Sequence, residues 1–478
     1  MSSIENDIER SFIQGENIYI SGVGGTGKSF LLKKIYQKYS AGWKQEKPEE
    51  CPICLEKIDA TDILTCGHYV HKACVCKSEK PLCPICKYDI TVPKKVSHLT
   101  STTGISAYNI GGRTVHNWAG FICPNSDEID DPQKLIDRCI KKIKTDRTKI
   151  LRWRTTSVLF IDEISMLGGT FLDLLNAIAK IIRRNNKPFG GIQVVCTGDM
   201  LQLPPVKDCY PFEVEVWKMM NFKYFNLTTC HRFDDDSYIE LLKRARVGKL
   251  CEQDIKILKS RVVHPTDDII PTILLPKNRD VFEKNRLELD KLPGESIIIK
   301  CQDSVVDQDG KKISDKIPPE IEDNFNCDKI LYIKEKAQVM LTINMDVESG
   351  LVNGSRGVIT SIQRSSVDNS IVTYIKFKNG LTVPISYHPF VFEDDDATYM
   401  RSTLPIKLCW CASIHKSQGL TLDCIYTDLG QDIFCPGQAY VALSRCRNLG
   451  GLYIKSFQPR KVFADKTALE FEKSLNQK

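Results

Sequence analysis

Four glycines within six residues, followed by a lysine and a serine, constrain this chain more than any other stretch. Apolar residues 18–20 precede them and the helical pattern of residues 30–39 follows. Such a loop turns backbone N–H groups towards a phosphate at the positive end of the next helix. The lysine then reaches the β- and γ-phosphates, and the serine hydroxyl binds Mg²⁺. We therefore predict a nucleotide-binding P-loop made of Gly22, Val23, Gly24, Gly25, Thr26, Gly27, Lys28 and Ser29. The alternative is a glycine turn that binds no nucleotide. The flanking strand and helix favour the P-loop over this alternative.

Length, charge and the N-terminal sequence limit the class of protein to which this P-loop can belong. The 478 residues suffice for two or three cores, because single domains mostly stop growing near about 250–300 residues. A formal charge of +6 means that a nucleic acid would be bound by local basic patches. The acidic start lacks an apolar signal segment, and no stretch has the length of a membrane span. We expect a soluble intracellular protein with no membrane partner. The expected location is the nucleus or the cytoplasm, and a viral replication site is one alternative within them.

Cysteine and histidine residues cluster directly after the P-loop helix. Among the 20 cysteines of the chain, six join two histidines at zinc-ligand spacing. The eight predicted ligands are Cys51, Cys54, Cys66, His68, His71, Cys74, Cys83 and Cys86. Their spacing resembles a RING finger, in which the first and third ligand pairs bind one zinc and the second and fourth pairs bind the other. Two Zn²⁺ ions would supply the folding energy that so small a module lacks.

The RING resemblance implies a ubiquitin-conjugating enzyme as partner. Ile53 and Pro84 stand at positions that commonly contact this partner, and Lys87 follows the last ligand, but Leu82 replaces the usual aromatic residue. A zinc-stabilised insert that only binds protein is the alternative. The insert lies between the P-loop helix and the next strand, so we expect it opposite the phosphate site.

A second element of nucleotide chemistry ends an apolar strand at residues 157–161. Asp162 and Glu163 follow this strand directly, as in a Walker B motif. We expect Asp162 to hold Mg²⁺ together with Ser29, and Glu163 to orient and deprotonate the attacking water. An ordinary acidic cap at a strand end is the alternative.

Several further segments carry a family resemblance. Residues 96–107, 111–116, 190–206, 413–421 and 438–445 resemble the motifs of the Pif family of superfamily-one DNA helicases, which also resemble RecD. The resemblance implies that Gln202 senses the γ-phosphate and that Arg232 and Arg445 are arginine fingers; an arginine in an unrelated salt bridge is the alternative for each finger. It also implies DNA contacts at Thr102, Thr103, His116, His415 and Ser417.

The expected fold class is α/β, with two RecA-like P-loop motor domains. We place the first in residues 1–43 and 95–226, the RING-type zinc insert in residues 44–94, and the second in residues 227–478. Residues 360–404 resemble a small β-barrel insert, and the turn at residues 378–380 is typical of a hairpin. The basic residues 138–154 suit phosphate binding and base stacking on Trp153, or form a solvated helix face.

These features predict an ATP-dependent DNA helicase or translocase. Family resemblance implies 5′-to-3′ movement on single-stranded DNA, action on DNA junctions, and a place in DNA replication, recombination and repair. The alternative is a RING-type ubiquitin ligase whose helicase domains locate it on DNA. One departure from the family is Glu5, which stands where an adenine-reading glutamine is expected.

Overall fold

The computed structural model describes most of the chain. It covers residues 3–40, 50–58, 64, 70–75, 83, 95–121, 132–233, 235–264, 271–275, 278–307, 310–322, 325–346, 349, 351–364, 370–393, 397–415 and 417–475. Within these residues, no helix combines the length and apolar character that a membrane span requires. Some residues of the predicted zinc module lie outside this part of the chain, namely Cys66, His68, Leu82, Pro84, Cys86 and Lys87.

The first half forms a parallel sheet surrounded by helices. Its six strands are β1 (Ile18–Gly22), β2 (Ser97–Ser101), β3 (Arg113–Thr114), β4 (Val158–Asp162), β5 (Gln193–Thr197) and β6 (Lys223–Leu227). Its helices are α1 (Ser3–Ile13), α2 (Lys28–Tyr39), α3 (Lys72–Val75), α4 (Gly104–Ile110), α5 (Val115–Ala119), α6 (Pro132–Lys144), α7 (Arg147–Thr155), α8 (Gly169–Arg183) and α9 (Glu215–Met220). The strand order is β3-β2-β4-β5-β1-β6, and all neighbouring strands are parallel.

Burial of the central strands explains this arrangement. Every residue of β1, β4 and β5 is buried, as expected for a parallel sheet with helices on both faces. Because the strands are parallel, the loops after β1, β4 and β5 leave the same edge of the sheet. The predicted RecA-like α/β core is confirmed, and its topology brings the P-loop together with Asp162, Glu163 and Gln202.

The zinc insert leaves and rejoins this core at adjacent points. Ser40, directly after α2, forms a parallel bridge with Lys95, whose backbone N–H donates to the Tyr39 carbonyl at 3.1 Å. Four buried apolar residues of the insert belong to the same hydrophobic cluster as α2: Ile58, Leu64, Val70 and Val75. Since the 12 residues of α2 rise about 18 Å, the insert attaches far from the phosphate end of the helix.

The second half contains a smaller parallel sheet and a large antiparallel region. Its strands are β7 (Thr272–Leu275), β8 (Ile297–Lys300), β9 (Gln302–Asp307), β10 (Lys312–Ser314), β11 (Ile330–Ile333), β12 (Gln338–Leu341), β13 (Arg356–Arg364), β14 (Ile371–Phe377), β15 (Thr382–Ile385), β16 (His388–Glu393), β17 (Ala397–Thr403), β18 (Ile406–Leu408), β19 (Cys411–Ser413), β20 (Ile425–Leu429) and β21 (Leu452–Phe457). Its helices are α10 (Asp236–Arg246), α11 (Glu252–Ser260), α12 (Asn278–Asp290), α13 (Pro319–Glu322), α14 (Gln438–Leu443) and α15 (Lys466–Leu475).

The parallel sheet of this half has the order β19-β7-β20-β21. Helices α10 and α14 pack together, and their buried residues share one hydrophobic cluster with β20 and β21. Strand β7 is followed by helix α12, which gives the strand-helix alternation of an α/β domain. This sheet therefore supports the prediction of a second RecA-like domain.

The antiparallel strands extend beyond the range predicted for the β-barrel insert. They run from β8 to β18, that is, from Ile297 to Leu408, and form three sheets ordered β10-β9-β17-β16, β11-β8 and β15-β14-β13-β12-β18. The predicted hairpin is confirmed, because β14 pairs with β15 around Gly380, which has φ of +89°. Strands β9 and β10 were not predicted, because these partly exposed, polar strands lack clear apolar alternation.

The basic stretch of residues 138–154 forms two helices, α6 and α7. Stacking of bases on Trp153 is wrong for this structure, because the indole ring is fully buried and donates to the Ala119 carbonyl at 3.0 Å. The alternative of a solvated face holds for α6, whose Lys141, Lys142 and Lys144 are exposed.

The C-terminal helix α15 returns to the first half of the chain. Phe471 stacks on Phe212 with ring centroids 4.1 Å apart, and it also lies against Tyr19 and Trp217. Buried Ala468 belongs to the same hydrophobic cluster as these rings. The chain thus links its two halves twice, once near residue 230 and once through α15.

A buried arginine fixes the antiparallel region. Arg401 on β17 is 1% exposed and binds Asp303 on β9 through two hydrogen bonds of 2.7 Å. It also binds Glu322 on α13 at 2.8 and 3.2 Å. Burial alone would raise the pKa of each carboxyl group, but hydrogen bonds and the charge of Arg401 outweigh burial and lower both pKa values.

We expect Arg401→Met to lower the free energy of unfolding by about 3–5 kcal/mol at pH 7, because the poorly solvated Asp303 carboxylate loses its ion-pair partner and Glu322 keeps only its ion pair with Lys329. Lowered pKa values mean that the stabilisation is present at neutral pH and is lost as pH falls through the carboxyl range. The difference between variant and wild type should therefore shrink at about pH 4. Urea unfolding at both pH values measures it, with exposed Arg364→Met as the control. A difference independent of pH would contradict the ion-pair explanation.

Candidate nucleotide-binding site and its surroundings

The P-loop joins β1 to α2 and is shaped by two glycines in the left-handed region. Gly25 and Gly27 have φ of +92° and +81°. A Cβ atom on Gly25 would lie 2.6 Å from Cβ of Arg232, so this glycine permits the close approach of the segment that carries Arg232. The backbone N–H of His231 donates to the Gly25 carbonyl at 2.9 Å. The P-loop is thus packed directly against the segment that carries Arg232.

Lys28 is buried beside the loop backbone. Its ammonium group donates to the carbonyls of Gly22 at 2.7 Å and Val23 at 3.2 Å. Burial lowers the pKa of Lys28, while the charges of Asp199 and Glu163 oppose this shift. The ammonium therefore sits among carboxylates at the base of the P-loop, where a phosphate chain would lie.

Asp162 and Ser29 lie together at the end of β4. The Asp162 carboxylate accepts hydrogen bonds from the hydroxyls of Thr197 and Ser29. Burial raises the pKa of Asp162, and these hydrogen bonds and Lys28 counteract the increase. A carboxylate beside a hydroxyl is a hard-oxygen donor set that fits Mg²⁺.

Glu163 occupies a left-handed backbone conformation, with φ of 53°, at the start of the next turn. Its side chain is 9% exposed, and Oε2 has no hydrogen-bond partner among the described residues. Burial, together with the charge of Asp162, raises the pKa of Glu163 to about 7. A carboxylate with an uncommitted oxygen and a pKa near neutrality suits a general base.

Gln202 joins the two halves of the chain at this site. Its side-chain carbonyl accepts from the amide of Gln418 at 2.9 Å, and both residues are buried. The Gln202 amide in turn lies 3.4 Å from Oδ2 of Asp199. A change in the position of Gln202 would therefore affect residues 413–421, which begin at the end of β19.

The two predicted arginine fingers lie side by side over the P-loop. Nη1 of Arg232 contacts the Ser444 carbonyl at 3.4 Å, and Nη2 of Arg445 donates to the Ser444 hydroxyl at 2.8 Å. A Cβ atom on Gly24 would lie 3.6 Å from Nη2 of Arg445. Burial lowers the pKa of both guanidinium groups, and in Arg445 the charge of Arg232 adds to this effect.

The predicted lysine, serine, carboxylates, glutamine and arginines line one cavity of about 200 Å³ between the halves of the chain. The structure thus brings together the predicted phosphate, magnesium and catalytic residues from segments far apart in sequence. The lining includes Lys28, Ser29, Asp162, Glu163, Gln202, Arg232 and Arg445, and also Ser106, Asn109, Ile110 and Gly419.

Three of the predicted DNA contacts are near the first sheet. The Thr102 hydroxyl donates to the Glu163 carbonyl at 3.0 Å, and the Thr103 side chain caps α4 by accepting from the Ser106 N–H. His116 on α5 stacks on Phe171 with ring centroids 4.3 Å apart. Thr102 therefore links this surface to the Walker B turn, although its contact with DNA stays a prediction.

The other two predicted DNA contacts follow β19. His415 is half-buried, and burial lowers its pKa. Ser417 is fully buried and its hydroxyl donates to the Ile414 carbonyl at 2.8 Å. In this conformation Ser417 thus shapes the turn rather than presenting its hydroxyl at the surface.

A second cluster of chemical groups lies in the zinc insert. Ligand atoms of Cys51, Cys54, His71 and Cys74 are all within 4.8 Å of one another. Nδ1 of His71 lies 3.1 Å from the Cys54 sulfur, and Nε2 lies 3.1 Å from the Lys57 carbonyl, which orients the ring. These four residues are the first and third pairs of the predicted pattern, and sulfur with imidazole nitrogen fits zinc. Cys83 is buried but is not in this cluster.

Sequence reasoning missed several residues around the nucleotide site. Tyr440 and Gln418 lie within motifs that were recognised, but nothing in their spacing indicated contacts across the cleft. Asp199 is buried, and Arg246 on α10 pairs with it at 2.8 Å. Asn109 on α4 accepts a hydrogen bond from Asn353 across the two halves at 3.1 Å. Each of these contacts joins residues more than forty positions apart, for which a single sequence holds no signal.

Comparisons with known proteins agree with this site. Residues 86–251 match the PIF1-like helicase family, and residues 319–362 match the 2B domain of DNA helicase Pif1. The ATP-dependent DNA helicase PIF1 of Danio rerio is 33% identical over 99% of this chain. The human protein of the same name is 30% identical over 99% of this chain. The chain spans 64% of the length of each of these two relatives.

Solved structures show the same architecture. A Pif1 helicase from Candida albicans covers 99% of this chain, with 99% of its own chain aligned, 29% sequence identity and a TM-score of 0.67. Unliganded Pif1 from a Bacteroides species aligns over the whole chain, with 97% of its own chain aligned, a TM-score of 0.72 and 23% identity, which is a likeness of fold alone. With the P-loop, the carboxylate pair and both arginines assembled in one cleft, the chain belongs to the family of PIF1-like helicases.

Proposed function

We propose that this chain is an ATP-driven DNA helicase that moves along single-stranded DNA in the 5′-to-3′ direction. The observation that carries the proposal is the position of Arg445, which comes from the second half of the chain and lies over the P-loop of the first. An active site completed by both halves links hydrolysis to their relative movement. That this movement acts on DNA is inferred from the family relationship.

The residues divide the chemistry of ATP hydrolysis among them. The P-loop amides and Lys28 bind the phosphates. Ser29 and Asp162 would hold Mg²⁺, which would neutralise charge on the phosphate oxygens. Glu163 accepts the proton of the attacking water, because its free oxygen and raised pKa suit this role. Arg232 and Arg445 stabilise the charge that develops on the transferred phosphoryl group. Gln202 reports this change to Gln418 in the second half.

Coupling to DNA runs through the loops beside this site. Thr102 is hydrogen-bonded to Glu163, so a strand held at Thr102, Thr103 and His116 would be sensed by the catalytic turn. His415 and the turn around Ser417 belong to the segment that Gln418 connects to Gln202. If the two surfaces bound the DNA strand alternately, the strand would advance. The proposal includes action at DNA junctions, in replication, recombination and repair.

The zinc insert serves as a protein-binding module in this proposal. Its four clustered ligands support one zinc site. The second site rests on the sequence spacing of the other four predicted ligands. Ile53, between the first two ligands, is 44% exposed and thus accessible to a partner. Contact with a ubiquitin-conjugating enzyme stays a prediction from the RING resemblance, since Pro84 and Lys87 lie outside the described residues.

We expect the protein to hydrolyse ATP faster when single-stranded DNA is present and to displace a strand from duplexes with a 5′ tail. Duplexes with only a 3′ tail should stay intact. Glu163→Gln should bind nucleotide but slow hydrolysis by about 10²–10⁴-fold, because the general base is lost. Exposed Glu215→Gln, the matched control, should be unaffected. Hydrolysis that ignores DNA, or unwinding from the 3′ tail, would contradict the proposal.

We expect two Zn²⁺ ions per chain by elemental analysis of the purified protein. Cys54→Ser should lose the ion held by the clustered ligands, whereas Cys209→Ser, at an exposed cysteine outside the cluster, should retain both. Hydrolysis of ATP should persist after gentle zinc removal, because the insert attaches at the far end of α2. Zinc-free wild-type protein would overturn the metal site, and loss of hydrolysis on chelation would show that the insert supports the motor.

A further inference from the structure

A buried tyrosine connects the P-loop to the helix that precedes Arg445. The backbone N–H of Gly24 donates to the hydroxyl of Tyr440 at 2.9 Å. Tyr440 lies on α14, is 1% exposed, and comes five positions before Arg445. A Cβ atom on Gly24 would lie 3.5 Å from the Tyr440 hydroxyl oxygen and 3.6 Å from Nη2 of Arg445. The tyrosine and the arginine therefore approach the same glycine together.

The hydroxyl of Tyr440 is fixed by a second contact. It donates to Oδ2 of Asp199 at 3.3 Å while it accepts from Gly24. A phenol has one proton to donate, so these two contacts define its orientation. The other oxygen of Asp199 accepts from the N–H of Leu201 at 3.2 Å and from Nε of Arg246 at 3.0 Å. The phenol is thus held at a set position relative to the first sheet.

Arg246 extends this connection to the C-terminal helix. Its guanidinium pairs with Asp199 and also with Glu472 on α15. Asp199 is fully buried, and the side chains of Arg246 and Glu472 are only 10% and 13% exposed. The chain of contacts therefore runs without interruption from Gly24 through Tyr440, Asp199 and Arg246 to Glu472.

We propose that Tyr440 is a positioning residue, whose hydroxyl sets the placement of the Arg445 guanidinium against the P-loop for phosphoryl transfer. This inference rests on the proposed ATP hydrolysis. Arg445 acts on charge that appears only in the transition state, so a contact that places it affects turnover more than nucleotide binding. Tyr440 itself does not touch the reacting atoms and acts through Gly24 and Arg445.

Tyr238 is a matched control. It is as fully buried as Tyr440, and its hydroxyl donates to the Leu443 carbonyl of the same helix at 2.7 Å. Removal of this hydroxyl tests the general cost of a lost buried hydrogen bond at α14. Removal of the Tyr440 hydroxyl tests, in addition, the link to Gly24.

The experiment compares Tyr440→Phe with Tyr238→Phe in the full chain with saturating single-stranded DNA. For Tyr440→Phe we expect kcat for ATP to fall about tenfold, the scale of one hydrogen bond, with KM within about twofold of wild type. Binding of fluorescent ADP should be unchanged, while binding of ADP with aluminium fluoride, a transition-state analogue, should weaken about tenfold. Tyr238→Phe should leave all four quantities near wild type. Thermal unfolding of both variants sets an assay temperature below either midpoint.

Two results would overturn the inference. If Tyr440→Phe and Tyr238→Phe behave alike, the hydroxyl has no special role. If Tyr440→Phe weakens ADP and the transition-state analogue equally, the hydroxyl supports the P-loop fold rather than the placement of Arg445. Failure of the proposed function would appear differently, as wild-type protein that does not hydrolyse ATP.

Discussion

The contact between the P-loop and the second half of the chain is the constraint on which the site depends. Gly25 must be glycine for the His231–Arg232 segment to pass, and the Gly25 carbonyl is bound by the His231 N–H. Half-buried Arg232 and buried Arg445 then bring two positive charges into the cavity that Lys28, Asp162 and Glu163 also line. These charges are tolerated because positive and negative groups lie in the same cavity. Burial disfavours the charged form of each group, so it raises the pKa of Glu163 and lowers the pKa of Lys28. A nucleotide with its metal ion would complete this arrangement rather than create it.

This constraint also explains the path of the chain. Residues beyond the second parallel sheet return to the first as α15, where Phe471 packs on Phe212 and Glu472 reaches Arg246. The halves are therefore not joined by a simple hinge alone. The zinc insert, in contrast, attaches away from the cleft, through the Ser40–Lys95 bridge. An addition at that place leaves the site intact, which is why a foreign module is compatible with an ordinary P-loop.

Local chemistry was predictable from the sequence, and long-range packing was not. The P-loop, the Asp162–Glu163 pair and the spacing of Cys51, Cys54, His71 and Cys74 each need neighbouring residues of fixed type, so a single sequence reveals them. The burial of Trp153 depends on Ala119 and Trp118, which the periodicity of its own helix does not disclose. The link from Tyr440 to Gly24 spans 416 positions and has no local signature. The strands β9 and β10 were missed because partly exposed strands outside a buried sheet carry little apolar pattern.

The central claim is that the second half of the chain completes the ATPase site through Arg445. The most direct test is to compare Arg445→Ala with Arg447→Ala, an exposed arginine two positions on, by ADP affinity and by turnover with single-stranded DNA. We predict that both variants bind ADP as wild type does, and that only Arg445→Ala loses turnover, by about 10³–10⁵-fold. Turnover near the wild-type rate in Arg445→Ala would contradict the account, because the site would then be complete without Arg445.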